Sequence, residues 1–109
     1  MNKRVNETNK APSGSLFPYY YKNGELHCFK FGSFQKNENE LIKRIDQEEN
    51  FFINSGKMLN CWIDLYETKL SNQILKRLYQ CIINISPQVN KLALVGNISI
   101  FNKIRISKT

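Results

Sequence analysis

The stretch from Met58 to Gly96, MLNCWIDLYETKLSNQILKRLYQCIINISPQVNKLALVG, admits few folds, because it sets two short apolar runs on either side of one amphipathic segment. The first run, MLNCWIDL, follows Gly56 and Lys57, gives way to the polar Tyr66 to Lys69, and is apolar nearly throughout. That is the pattern of a strand covered on both faces. The second run, Lys91 to Val95, is closed by Gly96 and Asn97. Between them Ile74, Leu75, Leu78, Ile82 and Ile85 recur at three- and four-residue steps and make one helical stripe. Ser71 stands at the N-cap, Leu70 and Leu75 are placed to staple the first turn, and Pro87 stops the helix. A strand, a helix and a second strand in this order make parallel neighbours joined by a right-handed crossover.

Upstream, LFPYYYK and ELHCFKF flank Asn23-Gly24, the pair that a two-residue type I′ hairpin turn prefers. Pro18 makes the first of these strands an edge, and the Tyr19–Tyr21 run reads as aromatic packing there. In the second, Leu26 and Cys28 face one way and His27, Phe29 and Phe31 the other, which is the pattern of an interior strand. His27, the only histidine, reads as a partly exposed strand residue, because the scattered cysteines give it no partner at metal-ligand spacing. After Gly32 and Ser33, Asn37 and Glu40 form a capping pair for a helix that ends near Ser55, with Gly56 at C′. Leu41, Ile42, Ile45, Phe52 and Ile53 supply its apolar face, and Glu48 and Glu49 are assigned to the opposite, solvated face.

A chain of 109 residues is one domain. Residues 1–15 are polar and aperiodic and read as a flexible N-terminal arm. Residues 16–109 read as a single α/β domain: a mixed four-stranded sheet, made of the N-terminal hairpin and a parallel βαβ unit, with helices packed on it. Trp62, Phe52 and Tyr79 are expected to fill its core. Residues 98–109 fit a strand through Ile98, Ile100, Ile104 and Ile106, or a helix capped by Ser99. Cys28, Cys61 and Cys81 are odd in number, far apart and set in apolar runs, so they read as reduced core residues of a cytoplasmic protein. No apolar segment approaches the ~18 residues of a membrane span.

The net charge of +7 is carried by the ends. Lys3, Arg4, Lys10 and Lys22 against Glu7 make residues 1–22 basic, and Lys91, Lys103, Arg105 and Lys108 do the same for residues 91–109, whereas residues 23–90 are balanced. Without an aromatic-basic motif this is the distribution of solvated ends, and nucleic acid ranks low among partners. The working edge is expected where the first parallel strand ends and the following helix begins, since open α/β sheets place loops and free helix N–H groups there. Asp64, Glu67, Thr68, Lys69, Ser71 and Asn72 lie on that loop, and Gly96 and Asn97 reach the same edge. No phosphate-cradling glycine loop, nucleophile elbow or metal cluster accompanies them, so no catalytic residue, metal or cofactor is assigned.

With ELHCFKFGSF, CWIDL and KLALVG in this order, the chain from about Tyr21 to Gly96 resembles the STAS domain, the fold of sulfate transporters and anti-sigma-factor antagonists. The resemblance implies a cytoplasmic, non-enzymatic regulatory module that binds a partner protein, either a regulator or a kinase-like protein. In the bacterial branch a serine at the helix start after the Asp-Leu strand is phosphorylated by the partner kinase; by position this is Ser71, with Thr68 second. That branch carries Asp-Ser-Ser-Gly where this chain reads Lys69-Leu70-Ser71-Asn72, and relatives continue beyond the point corresponding to Gly96. Three further expectations stand beside this one: a homodimer through the apolar C-terminal segment, a small-molecule or lipid carrier of the same topology, and a nucleic-acid accessory using the basic ends.

Overall fold

The computed structural model describes residues 9–17, 19–21 and 24–96. Their order is β1 (Asn9–Lys10), β2 (Leu16–Phe17), β3 (Tyr19–Tyr21), β4 (Gly24–Lys30), α1 (Glu38–Ser55), β5 (Leu59–Asp64), α2 (Asn72–Ile85), a 3-10 turn over Ser86–Gln88, and β6 (Val89–Val95). The mixed α/β class and the strand–helix–strand unit expected from the sequence are both present. β4, β5 and β6 run parallel in that spatial order, and the short β3 pairs antiparallel along the outer edge of β4.

Each helix begins and ends where its capping residues stand. The Asn37 side chain accepts from the Glu40 N–H at 3.4 Å, and Gly56 closes α1 in the left-handed region at φ 70°. The Ser71 side chain accepts from the Ile74 N–H at 3.2 Å to open α2. At the far end Pro87 admits only the 3-10 turn before β6, which starts two residues earlier than the apolar run alone indicated.

Successive strands step in one direction across the sheet, so right-handed crossovers put both helices on the same face. Phe29 and Phe31, Leu59, Cys61 and Ile63, and Leu94 meet Leu41, Ile45 and Phe52 of α1 and Ile74, Leu78, Cys81, Ile82 and Ile85 of α2 in one core. The other face carries Leu26 and Cys28, Asn60 and Trp62, and Ala93, in register. Burial along β5 therefore alternates, which corrects the expectation of a strand covered on both faces. Trp62 stands half-buried on the helix-free side and Tyr79 is exposed, so of the three large residues assigned to the core only Phe52 belongs to it.

Three further expectations are corrected. Tyr21 is opposite Gly24, so Gly24 belongs to β4 and not to the turn; Asn23 lies outside the described residues. Asn9–Lys10, within the stretch assigned to a flexible arm, pairs antiparallel with Leu16–Phe17, and Ala11 and Phe17 are buried. Glu48 and Glu49, assigned to a solvated face, are 0% and 8% exposed. Residues 98–109 lie outside the described residues.

Candidate functional site

The loop after β5 is bonded along its length to the loop after β4. Phe31 N–H donates to the Asp64 carbonyl at 2.9 Å, Ser33 N–H to Tyr66 at 2.6 Å, Gln35 N–H to Glu67 at 2.9 Å, and Lys69 N–H to Gln35 at 2.7 Å. The parallel pairing of β4 with β5 is thereby extended past both strands, ending in a bridge between Gln35 and Thr68. Ser33, Gln35 and Glu67 take positive φ of 64°, 52° and 54° to follow this path. Such conformations are strained for side-chain-bearing residues and persist where the surroundings hold them.

Each described residue expected at this edge has a definite place. The Asp64 carboxylate accepts from the Tyr66 N–H at 3.0 Å and so shapes the turn. The Thr68 hydroxyl donates to the Phe31 carbonyl at 2.8 Å and accepts from the Phe34 N–H at 3.1 Å. At 7% exposure Thr68 fastens the two loops together and does not present its hydroxyl to a partner. Ser71 is half-buried and caps α2, whereas Glu67, Lys69 and Asn72 are exposed. Gly96 reaches the same edge, as expected, with φ 125°; Asn97 lies outside the described residues. The most exposed large side chain of the loop is Tyr66, at 61%, which sequence reasoning passed over as a polar boundary residue.

Two buried polar clusters lie away from this edge. His27, on the core face of β4, is 0% exposed and ringed by Phe17, Phe29, Phe51 and Phe52, with centroids 4.6 to 6.5 Å away. Its Nε2 is 3.2 Å from Glu48 Oε1, and Glu48 Oε2 accepts from the Ser13 N–H at 2.8 Å. The signal for this was in the spacing: Leu41, Ile45, Glu48 and Phe52 form one stripe at steps of four, three and four, and His27 alternates with Phe29 and Phe31. Glu49 points instead to α2, where Arg77 and the Asn84 amide donate to it, and Arg77 also holds Asp46 at 2.9 Å. Burial works against the Arg77 charge, but its bonds to Glu49 and Asp46 outweigh it and hold the guanidinium above its ordinary value.

The thiols are poorly suited to nucleophilic chemistry. Burial pushes Cys28 up to about 11 and Cys61 and Cys81 up to about 12, so all three remain protonated at neutral pH. Among the described residues no cluster of three or more His, Cys, Asp or Glu side chains is placed to hold a metal, and no helix is long and apolar enough to cross a membrane. No family model, curated protein or solved structure matches the chain.

Proposed function

We propose that this chain is a non-enzymatic regulatory module of STAS type that binds a partner protein through the loop Asp64–Ser71 and the first turn of α2. The observation that supports this reading is the combination of a rigid backbone with outward side chains on that loop. The bonds to residues 31–35 fix its path, while Tyr66, Glu67, Lys69 and Asn72 stand exposed along it. A preorganised loop loses little entropy on binding, and an exposed tyrosine is a common anchor of protein interfaces. The resemblance in element order from Tyr21 to Gly96 supports the same reading by analogy of fold.

Ser71 is the residue of this surface that a kinase-like partner would modify. Its hydroxyl sits at the positive end of α2, where a phosphate adds about −1.5 to −2 charges that the helix dipole tolerates. Lys69 would assist that charge and Glu67 would oppose it. The test is quantitative capture from the native host by wild type, Tyr66→Ser, Ser71→Ala and Ser71→Asp. A partner held by wild type is expected to be lost with Tyr66→Ser and to discriminate Ala from Asp at position 71. Equal retention by Tyr66→Ser removes the loop as the binding surface, and equal retention by both Ser71 variants removes the switch.

A further inference from the structure

Both described helices pack on one face of the parallel strands β4 to β6. Parallel sheets occur almost only with both faces covered, so the helix-free face is a surface that calls for a cover. Its side chains are those of a covered face. Register sets Cys28 beside Trp62 and Trp62 beside Ala93, with Leu26 and its cross-strand partner Tyr19 before this row and Val95 after it. Tyr19 is 44% and Val95 49% exposed, while Leu26, Cys28 and Trp62 are partly buried. Asn60 and Lys91 bound the apolar row at one end and Lys30 and Asp64 at the other. An apolar centre inside a polar rim is the make-up of an interaction surface.

The two terminal stretches outside the described residues differ in what they could lay on this face. Residues 1–8 hold Met1 and Val5 as their only large apolar side chains, whereas residues 97–109 hold Ile98, Ile100, Phe101, Ile104 and Ile106. The second stretch also starts in the right place. It leaves β6 through Gly96, next to Val95 on the apolar face. With strands about 4.8 Å apart, β4 and its Cys28 stand roughly 10 Å across the sheet from β6. The segment from 97 to 109 spans about 20 Å even at the helical rise of ~1.5 Å per residue, so it reaches β4 whichever conformation it takes. We propose that residues 98–106 fold back over the helix-free face and seat their isoleucines on Trp62, Cys28 and Ala93. Ile100 and Ile104 carry the contact, because they belong to the apolar side of this segment both as a helix and as a strand. Tyr79 and Ile83 of α2 are a smaller exposed pair, on a helix flank that has no such need of a cover.

Trp62 is the only tryptophan, so its fluorescence reports this face alone. In the full chain, Ile100→Asp combined with Ile104→Asp is expected to shift Trp62 emission to the red. The same double variant is expected to speed thiol labelling of Cys28 at least about tenfold, the least that losing one fully buried isoleucine gives. Labelling of Cys61 and Cys81, buried on the helix side, is expected to stay as in wild type. Unchanged emission or an unchanged Cys28 rate would overturn the proposal. Should the double variant lose its fold, seen as labelling of Cys61 and Cys81, methyl NOEs in wild type decide instead. Contacts from Ile98, Ile100, Ile104 or Ile106 to the Trp62 ring are then expected, and their absence, or contacts to Tyr79 and Ile83 in their place, would overturn it. In a mixture of isotope-labelled and unlabelled chains, the same contacts arising between chains would give the face to a second copy and overturn it equally.

Discussion

Gly96 closes on the backbone of Tyr66: a Cβ built at Gly96 would stand 2.8 Å from the Tyr66 nitrogen. From the neighbouring strand on the other side, a Cβ on Gly32 would meet the Tyr66 carbonyl oxygen at 2.9 Å. The loop after β5 is thus wedged between two backbones that approach more closely than any side chain permits.

Gly96→Ala is expected to destabilise the domain by about 2 kcal/mol or more, since it adds the clash to a φ of 125°. Gly32→Ala meets backbone at nearly the same distance without the positive φ and is expected to cost less. Gly24→Ala has open space around its Cβ and serves as the control. Urea midpoints at constant m-value rank the three.

Thr68 joins two loops through one hydroxyl. Thr68→Val leaves the Phe34 N–H and the Phe31 carbonyl without their partner, with an expected loss of about 1 to 3 kcal/mol. Thr68→Ser keeps the hydroxyl and is expected to retain most of the stability. The same urea comparison, with amide exchange at Phe34, reads the effect at the bond itself.

Arg77 separates two carboxylates of unequal burial. Arg77→Ala leaves Glu49, 8% exposed, without its charged donor. It is expected to destabilise by roughly 2 to 4 kcal/mol, below the roughly 3 to 5 kcal/mol for breaking a fully buried pair because the Arg77 side chain is 24% exposed. The Asp46 side chain is 59% exposed, and Asp46→Asn is expected to change stability by less than about 1 kcal/mol. Near-equal effects of the two substitutions would show that burial of Glu49 does not set the energetics.

Cys61 and Cys81 give the domain an alkaline limit. Burial raises both from 9.0 to about 12, so the folded state keeps protons that the unfolded chain releases above about 9. Their contribution is therefore complete below about pH 9 and is lost as pH rises toward 12. Unfolding free energy measured from pH 8 to pH 11 is expected to fall, with a shallower slope in Cys61→Ala and Cys81→Ala, whatever the absolute cost of their cavities. In native protein, thiol labelling at neutral pH is expected to reach half-exposed Cys28 before the two buried cysteines.

The elements and caps of this chain were legible because they are local. Asn37 with Glu40, Gly56, Ser71 and Pro87 act within a few residues of themselves, and the apolar periods of α1, β5 and α2 follow from backbone geometry alone. Gly24 was assigned to the turn although it pairs with Tyr21, because the Asn-Gly signal marks a turn without fixing which residues lie opposite across it.

What the sequence determined by itself was the βαβ unit and the edge where Asp64 to Ser71 and Gly96 converge, since strand order and crossover hand follow from chain connectivity. What only the tertiary structure decided was the fate of the charged and polar groups. Glu48 and Glu49 are neighbours in sequence, yet one meets His27 and Ser13 while the other meets Arg77 and Asn84. A carboxylate is buried only when donors from distant elements arrive to satisfy it, and that arrival is a property of the packed fold rather than of the local pattern. Thr68 turned inward for the same reason, leaving Tyr66 exposed on the loop that both glycines hold.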